Sequence, residues 1–204
     1  MDWYPRDVWF YLLASGWQRT SQEEHLMPRA GFVGDELGSA LIGSRLVRDV
    51  MNLYFLMERK YAPYSKWFGV AFKKLACGST LEPILLQIQQ ASTWPEREAS
   101  LSRAYMILGD KHNALGITEQ VDSAISFFWE RPFHVIHAGR FVDAIPKQTK
   151  DPEMERLLSR PLIGNVNQWS DNVDVKKIDI QKMKQLYSRR LTAMIFGYMA
   201  SIQS

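Results

Sequence analysis

Apolar residues recur along most of the chain at spacings of three and four, the pattern of helices that bury one face. The strongest run begins at Gly34-Asp35-Glu36 and extends to about Lys60. It is apolar around most of its circumference, as expected for a central helix. An earlier helix extends to about Leu26, where Pro28 and Gly31 break the pattern. The other predicted helices cover about 64–74, 81–91 (with Thr80 as its cap), 94–115, 122–129, 137–145 and 151–158.

The C-terminal part of the sequence differs in character. Residues from about 159 to 178 are rich in Asn, Gly and Asp and are predicted to form an irregular loop. A closing amphipathic helix is predicted at about 180–202. The sequence shows neither long strand-type alternation nor a repeat of solenoid period. We therefore predict an all-α, multi-helix bundle that forms a single domain over residues 1–204.

Composition narrows the class of protein. The chain has 204 residues, of which 46% are hydrophobic and 23% charged, so it can bury a real core and is not broadly disordered. The net charge of +3 is only mildly basic, and no Lys/Arg run marks a nucleic-acid tail. Cys77 is the one cysteine, which excludes an intrachain disulfide and fits a cytoplasmic setting. The sequence shows no signal peptide and no apolar run of membrane-spanning length, so we expect no membrane association.

A polar stripe crosses the predicted central helix. Its members share one face because they are three or four positions apart; they are Arg45, Arg48, Asp49 and Asn52. A buried Arg–Asp pair is a common structural device, and here Arg48 would neutralise Asp49 or another acid. Burying such a pair is costly, so these residues are also candidates for the lining of a wet ligand cavity.

The segment ERKYAPYSKWFG, from Glu58 to Gly69, is unusually rich in rings and cations around Pro63. Its candidate ligand-binding residues are Glu58, Arg59, Tyr61, Tyr64, Lys66 and Trp67. In a structural interpretation the four rings (Tyr61, Tyr64, Trp67 and Phe68) fill core and Glu58 pairs with an arginine. In a functional interpretation a base stacks on a ring and phosphates bind the cations. A helix starting near Tyr64 would place Tyr64 and Phe68 on one face and Lys66 on another.

Four phrases in the sequence, VGDELGSALIGSRLVRDVM, MERKYAPYSKWFG, HNALGIT and RPFHVI, together resemble a bacterial family, the domain-of-unknown-function family 4037. The resemblance extends from about Trp3 to Tyr187, and YAPYSKWFG is its most specific part. It implies a helical domain that follows a nucleotidyltransferase-like domain. In related two-domain nucleotidyltransferases, the helical part closes over the nucleotide and helps bind the acceptor.

The catalytic signature of a nucleotidyltransferase is not found in this sequence. That signature is a Gly-Ser turn followed by two aspartates at alternate strand positions, which hold divalent metal against the phosphates. Here Gly38-Ser39 lies inside a predicted helix, and Asp171 and Asp174 are three positions apart. We therefore expect no cofactor in this chain, with Mg²⁺ and a nucleoside triphosphate bound only where a catalytic domain is present in cis or in trans.

Two histidine-containing motifs remain. Arg131 and His137 have about the spacing of the Arg/His pair in helical ribonuclease toxins, where the pair acts on the 2′-hydroxyl and the scissile phosphate. Pro132 interrupts the continuous helix that normally holds such a pair. His112 and Asn113 end a predicted helix, as a C-terminal cation and cap or as ligand contacts. The scattered histidines and the single cysteine predict no metal site.

Three functions stay open on the sequence. The leading one is an accessory or substrate-binding module of a nucleotidyltransferase-like protein, with a nucleotide or small-molecule ligand and no turnover by this chain alone. The second is a metal-independent ribonuclease that uses Arg131 and His137. The third is a purely structural bundle, for example one that forms a homodimer.

Overall fold

The structure, a computed structural model, describes residues 3–148 and 151–164. Its helices are α1 Arg6–Glu23, α2 Leu26–Phe32, α3 Glu36–Met57, α4 Phe68–Phe72, α5 Gly78–Gln90, α6 Trp94–Ala114, α7 Gly139–Ala144 and α8 Pro152–Leu158. Two short 3-10 turns cover Ser65–Trp67 and Pro146–Gln148. The strands β1 Ser126–Phe127 and β2 His134–Val135 form one antiparallel pair. The predicted all-α class is confirmed.

Helix α3 is the centre of the bundle, as its apolar circumference predicts. It packs against α1, α2, α5 and α6. Leu46, Val50 and Leu53 of α3 are fully buried. The middle of α1, from Trp9 to Trp17, is also buried on all sides. Gly43 allows close approach of α6, because a side-chain carbon there would lie 2.6 Å from Cδ of Arg97.

Side-chain caps and a left-handed glycine define three of the helix ends. Asp35 caps α3, since its Oδ1 accepts a hydrogen bond of 2.7 Å from the Gly38 backbone N–H. Glu96 reaches back to the backbone N–H groups before α6 and so completes a capping box with Thr93. Gly116 follows α6 with a φ of 60°, the left-handed conformation that ends many helices. This is the stop that the sequence predicts.

Four predicted helices differ from the structure. The helix predicted over about 64–74 is instead the 3-10 turn Ser65–Trp67 followed by the short α4, Phe68–Phe72, because Tyr64 has an extended backbone. The first helix ends at Glu23, and Pro28 lies in the first turn of a separate helix, α2, where its missing N–H breaks no helical hydrogen bond. Helix α5 begins at Gly78, so Thr80 lies inside it and does not cap it. The predicted helix at 122–129 is absent: the Asp122 carboxylate accepts from the Ala124 N–H in a local turn, which competes with a helical start.

The hairpin is held by carboxylates from two helices. Glu98 of α6 accepts from the backbone N–H of His134 and lies 2.9 Å from its Nδ1. Glu24, just after α1, accepts from the N–H groups of Ile136 and Ala138 at 3.0 Å each. These donors are two residues apart and therefore point to the same side of an extended chain. Burial raises the pKa of Glu24 to about 7.

The C-terminal predictions are tested only in part. Residues 159–164 contain no helix, which agrees with the start of the predicted loop. The rest of that loop and the predicted closing helix at 180–202 lie outside the described residues. Across 3–148 and 151–164, no helix is long and apolar enough to cross a membrane.

Candidate functional site

A half-open cleft of about 430 Å³ separates the C-terminal half of α3 from the segment that follows it. Its lining consists of Ser44, Val47, Arg48, Met51 and Asn52 from α3, and of Ala62, Pro63, Ser65 and Phe68 from the returning chain. We call the returning chain, Ala62–Phe68, the aromatic turn. The cleft brings half of the predicted polar stripe together with the segment that is rich in rings and cations.

A left-handed residue at the end of α3 sends the chain back along the helix. Arg59 has a φ of 52°, and the N–H groups of Arg59 and Lys60 bond to the carbonyls of Leu56 and Phe55. This is the Schellman pattern that ends helices, with arginine where glycine is usual. Stacking offsets part of the backbone strain, because the Arg59 guanidinium lies 4.5 Å from the centre of the Trp9 ring.

Glu58 anchors the next helix and does not pair with an arginine, so that expectation is wrong. Its Oε2 accepts from the Ala76 N–H at 2.9 Å, and its Oε1 accepts from the Cys77 N–H at 3.3 Å. These donors lie immediately before α5, where backbone N–H groups lack helical partners. The carboxylate therefore satisfies the start of α5 and is not directed to a ligand.

The rings of the aromatic turn divide between core and solvent. Phe68 is half-buried and packs on Phe55, with ring centres 5.3 Å apart. Tyr64 and Trp67 are 78% and 55% exposed, so the core-filling interpretation is wrong for these two rings. Lys66 is exposed, and its Nζ lies 5.1 Å from the centre of the Trp67 ring.

Tyr61 belongs to a second aromatic group. It is half-buried, and its ring centre lies 4.9 Å from that of Trp3 and 5.0 Å from that of Tyr4. These contacts attach the start of the chain to the end of α3. Tyr61 thus fills space beside the aromatic turn, in agreement with its structural interpretation, and does not line the cleft.

The polar stripe is split between two neighbours. Arg48 and Asn52 line the cleft, whereas Arg45 and Asp49 turn toward α1. Asp49 is neutralised by Arg19, whose Nη2 lies 3.2 Å from Oδ2, and Arg45 pairs with Glu23. The expectation of a buried Arg48 is wrong because adjacent helical residues point about 100° apart, which leaves Arg48 exposed.

The pKa of Asp49 reflects both its burial and its ion pair with Arg19. Burial raises the pKa of Asp49, and the charge and hydrogen bond of Arg19 oppose that rise. Glu23 also lies 3.5 Å from Arg19. Two arginines and two carboxylates therefore form a connected network between α1 and α3. This network fixes the helix that carries the cleft and is separate from the cleft lining.

His112 and Asn113 have structural roles. Trp17 donates its indole N–H to Nδ1 of His112 at 3.1 Å, so Nε2 carries the proton toward Thr118 Oγ1. Burial lowers the pKa of His112 to about 4, which leaves the ring neutral at pH 7 and contradicts its interpretation as a helix-end cation. Asn113 bonds both the N–H and the carbonyl of Val121 and so holds the loop after α6.

Arg131 and His137 lie on the hairpin and not on one helix. Arg131 is exposed in the connection between the strands. His137 follows β2 with a φ of 54°, and its Nε2 lies 2.8 Å from Ser126 Oγ. Burial and the nearby Arg140 lower the pKa of His137. The interruption that Pro132 predicts is therefore present.

Other features of the described residues offer less chemistry. A second cleft of about 430 Å³ lies between the loop after α6 and α7, but its Arg140 is already paired with Asp122 at 2.8 Å. No cluster of three or more His, Cys, Asp or Glu side chains in the described part of the chain is placed to hold a metal ion. The α3 cleft is the better candidate because Arg48 forms no salt bridge within residues 3–148 and 151–164.

The cleft lies entirely within a recognised family segment. Residues 1–68 match the model of a family described as a domain of unknown function, DUF4037. The match covers 68 of the 204 residues, and over them the chain is similar to that family. The DUF4037 segment ends at Phe68, so it contains α1–α3 and every lining residue of the cleft. Searches of the curated proteins and of the solved structures gave no match.

Sequence reasoning missed several lining residues. Ser44 and Met51 lie on the same side of α3 as Arg48, at spacings of four and three. That spacing was the available signal, but small and apolar side chains do not stand out as candidates. Ser65 was overlooked because its neighbours are rings and a cation.

Proposed function

We propose that the chain is a helical substrate-binding module whose α3 cleft takes a ligand with a phosphate and a flat ring, such as a nucleotide. The observation that carries this proposal is an exposed arginine, Arg48, in a cleft whose lining residues in the aromatic turn are the sequence neighbours of two exposed rings, Tyr64 and Trp67. These two rings do not themselves line the cleft. Exposed apolar surface rimmed by polar groups can mark a ligand-binding groove. Stacking a base on a ring and placing a phosphate on a cation would use both features.

The module is proposed to act with a nucleotidyltransferase-like domain, in cis or in trans, and to have no turnover alone. Ser39, the serine of the Gly38-Ser39 pair near the start of α3, is fully buried and accepts a hydrogen bond of 2.8 Å from Arg97. It therefore holds helices together and cannot present a phosphate. The metal and the triphosphate chemistry would belong to the partner domain, and the α3 cleft would contribute positioning.

A reducing, cytoplasmic setting fits this proposal. Cys77 is half-buried, and burial raises the pKa of its thiol to about 12, so the thiolate form is scarce at neutral pH. A thiol of this kind is a packing residue with low reactivity. The proposal does not depend on the oligomeric state, and a homodimer remains compatible with it.

Titration of nucleoside triphosphates, followed by NMR, tests the proposal. Shifts should cluster at the Asn52 side-chain amide, the Trp67 indole and the backbone of the aromatic turn. Affinity should be on the order of millimolar, because the cleft is half-open, and should fall with salt. Arg48→Gln should weaken binding, whereas Lys147→Gln, a change at a distant exposed lysine, should not. Shifts that avoid the cleft, or that persist in Arg48→Gln, would contradict the proposal.

The ribonuclease alternative can be tested on the same preparation. We expect any RNA cleavage to be unaffected by His137→Ala, because Arg131 and His137 are not held on one helix. Loss of cleavage in that variant, with the fold intact by circular dichroism, would favour the ribonuclease over the binding module.

A further inference from the structure

The two exposed rings of the aromatic turn belong to residues that are joined by a tight turn. Trp67 donates its backbone N–H to the Tyr64 carbonyl at 2.9 Å. A turn closed by such a bond brings the Cα atoms of its first and fourth residues within about 7 Å of each other. Both side chains are exposed, so two rings extend from neighbouring points of the surface. A mononucleotide needs one such ring, whereas successive bases of a strand need two.

The surface around the rings carries more positive charge than one phosphate requires. Residues 48–74 contain six Lys/Arg residues and two acids. Both acids are engaged: Asp49 pairs with Arg19, and Glu58 accepts from two backbone N–H groups before α5. Five of the six cations are exposed and form no salt bridge within the described residues: Arg48, Arg59, Lys60, Lys66 and Lys74. Of these, Arg59 lies over the Trp9 ring. They border the cleft and the aromatic turn along the chain.

We infer that this surface binds a single-stranded nucleic acid and not only a mononucleotide, an inference that rests on the proposed function of the α3 cleft. The strand stacks successive bases on Tyr64 and Trp67 and places its phosphates along Arg48, Lys60 and Lys66. An acidic peptide would form ionic contacts with the cations but would not need to stack on the two exposed rings. The pairing of rings with cations is what favours a nucleic acid over a peptide.

Binding of labelled oligouridylates to the full chain tests this inference. Fluorescence anisotropy with strands of two, four and eight nucleotides should show affinity rising with length, and uridine monophosphate should compete poorly. For the three phosphates placed on Arg48, Lys60 and Lys66, log K should fall with log salt at a slope of roughly −2. Tyr64→Ala and Trp67→Ala should each weaken binding by about 5- to 150-fold. Lys66→Gln should make the slope shallower by about 0.7.

Trp129→Ala is the matched control. Trp129 is 82% exposed in the hairpin connection, whose Phe133 contacts Phe32 close to the start of α3. The aromatic turn follows the other end of α3, which is 22 residues long and therefore spans about 33 Å. Trp129→Ala should leave the affinity for oligouridylate unchanged. Equal losses in Trp129→Ala and Trp67→Ala would overturn the inference.

The remaining outcomes separate the inference from the proposed function. If uridine monophosphate and the eight-nucleotide strand bind equally well, the inference fails and the proposed nucleotide module stands. If neither binds, both fail. If polyglutamate binds as tightly as the strand and Trp67→Ala has no effect, the surface is a site for acidic peptides and the inference is overturned.

Discussion

Arg19 gives the sharpest test of how the bundle holds the cleft in place. It is 2% exposed on α1, with Nη2 3.2 Å from Asp49 Oδ2 and 3.5 Å from Glu23 Oε1. At an effective dielectric constant of about 20, opposite charges at 3.2 Å attract by about 5 kcal/mol before any desolvation is counted. Removal of the cation leaves Asp49 nearly buried and without its hydrogen-bonded ion-pair partner, with only the more remote charges of Arg45 and Arg48 to offset it.

We expect Arg19→Met to lower the free energy of unfolding by about 3 to 5 kcal/mol at pH 7, the usual cost of breaking one side of a buried pair. Methionine keeps most of the length of the side chain, so lost packing contributes little. Glu23 retains Arg45, and the deficit is therefore that of Asp49. Arg48→Met is the matched control on the exposed face of α3 and should change stability by less than about 0.5 kcal/mol.

Urea unfolding, followed by circular dichroism and tryptophan fluorescence, measures both variants. The deficit should also depend on pH. The pKa of Asp49 is already raised by burial, and removal of Arg19 raises it further. A carboxyl group whose pKa is higher in the folded state loses stability as pH rises from its unfolded pKa, about 3.9, through its folded pKa. The Arg19→Met deficit should therefore shrink toward pH 4, and Arg19→Met/Asp49→Leu should recover most of it.

Two results would refute this reasoning. One is equal destabilisation by Arg19→Met and Arg48→Met, which would mean that burial of the ion pair does not matter. The other is a deficit that is constant between pH 7 and pH 4, because an uncompensated carboxylate must lose its penalty when it is protonated.

Three further predictions concern groups away from the cleft. Since the pKa of Glu24 is raised from 4.5 to about 7, the stability of the parent relative to Glu24→Gln should fall by roughly 3 kcal/mol as pH rises from about 4.5 to 7; parallel pH profiles from urea unfolding would contradict this. Glu58→Ala should cost about 1 kcal/mol through the lost cap of α5, and more than Glu82→Ala, whose partner Lys73 is exposed. His112, with a pKa of about 4, should contribute stability that is complete above pH 6.5 and is lost as pH falls toward 4. Its imidazole nitrogens should show no titration near pH 6.5 by NMR.

The helices were largely predictable because each buries one continuous face. The spacing of apolar residues indicates the long helices α1, α3 and α6 without knowledge of their neighbours. The hairpin was not predictable in the same way. Its strands are two residues long, too short for an alternating pattern, and Glu24 accepts from N–H groups 112 and 114 positions away. Contacts between residues so far apart leave no pattern in the neighbouring sequence from which the hairpin could be predicted.

The contacts of the polar stripe were likewise only partly predictable from the sequence. Helical spacing correctly places Arg48 and Asn52 on one face of α3. It does not reveal which neighbouring helix covers Asp49, and the answer, Arg19, is 30 positions earlier in the chain. Sequence spacing therefore placed two of the cleft's lining residues on one face, whereas the division between structural network and cleft depended on how α1 packs against α3.

The aromatic turn shows how one local choice of backbone geometry decides which residues can act. In an α-helix, residues four positions apart differ by about 40° around the axis, so Tyr64 would share a face with Phe68. In a 3-10 turn that difference is about 120°, and residues three apart eclipse each other. In the structure, Tyr64 precedes the 3-10 turn at Ser65–Trp67 and is exposed, as is Trp67, whereas Phe68 begins α4 and packs on Phe55.

The backbone conformation of Tyr64 and the packing of Phe68 explain why the aromatic turn adopts this geometry. The extended backbone of Tyr64, with a φ of −49° and a ψ of 146°, prevents an α-helix from starting one residue earlier. Phe68 then packs, half-buried, on Phe55 at the end of α3, and its partial burial stabilises by less than the roughly 1.5 to 3 kcal/mol of a fully buried phenylalanine. Because Phe68 provides this contact, Tyr64 and Trp67 can remain exposed. The Trp67 ring lies close to Lys66, so a ring and a cation are both accessible at this turn.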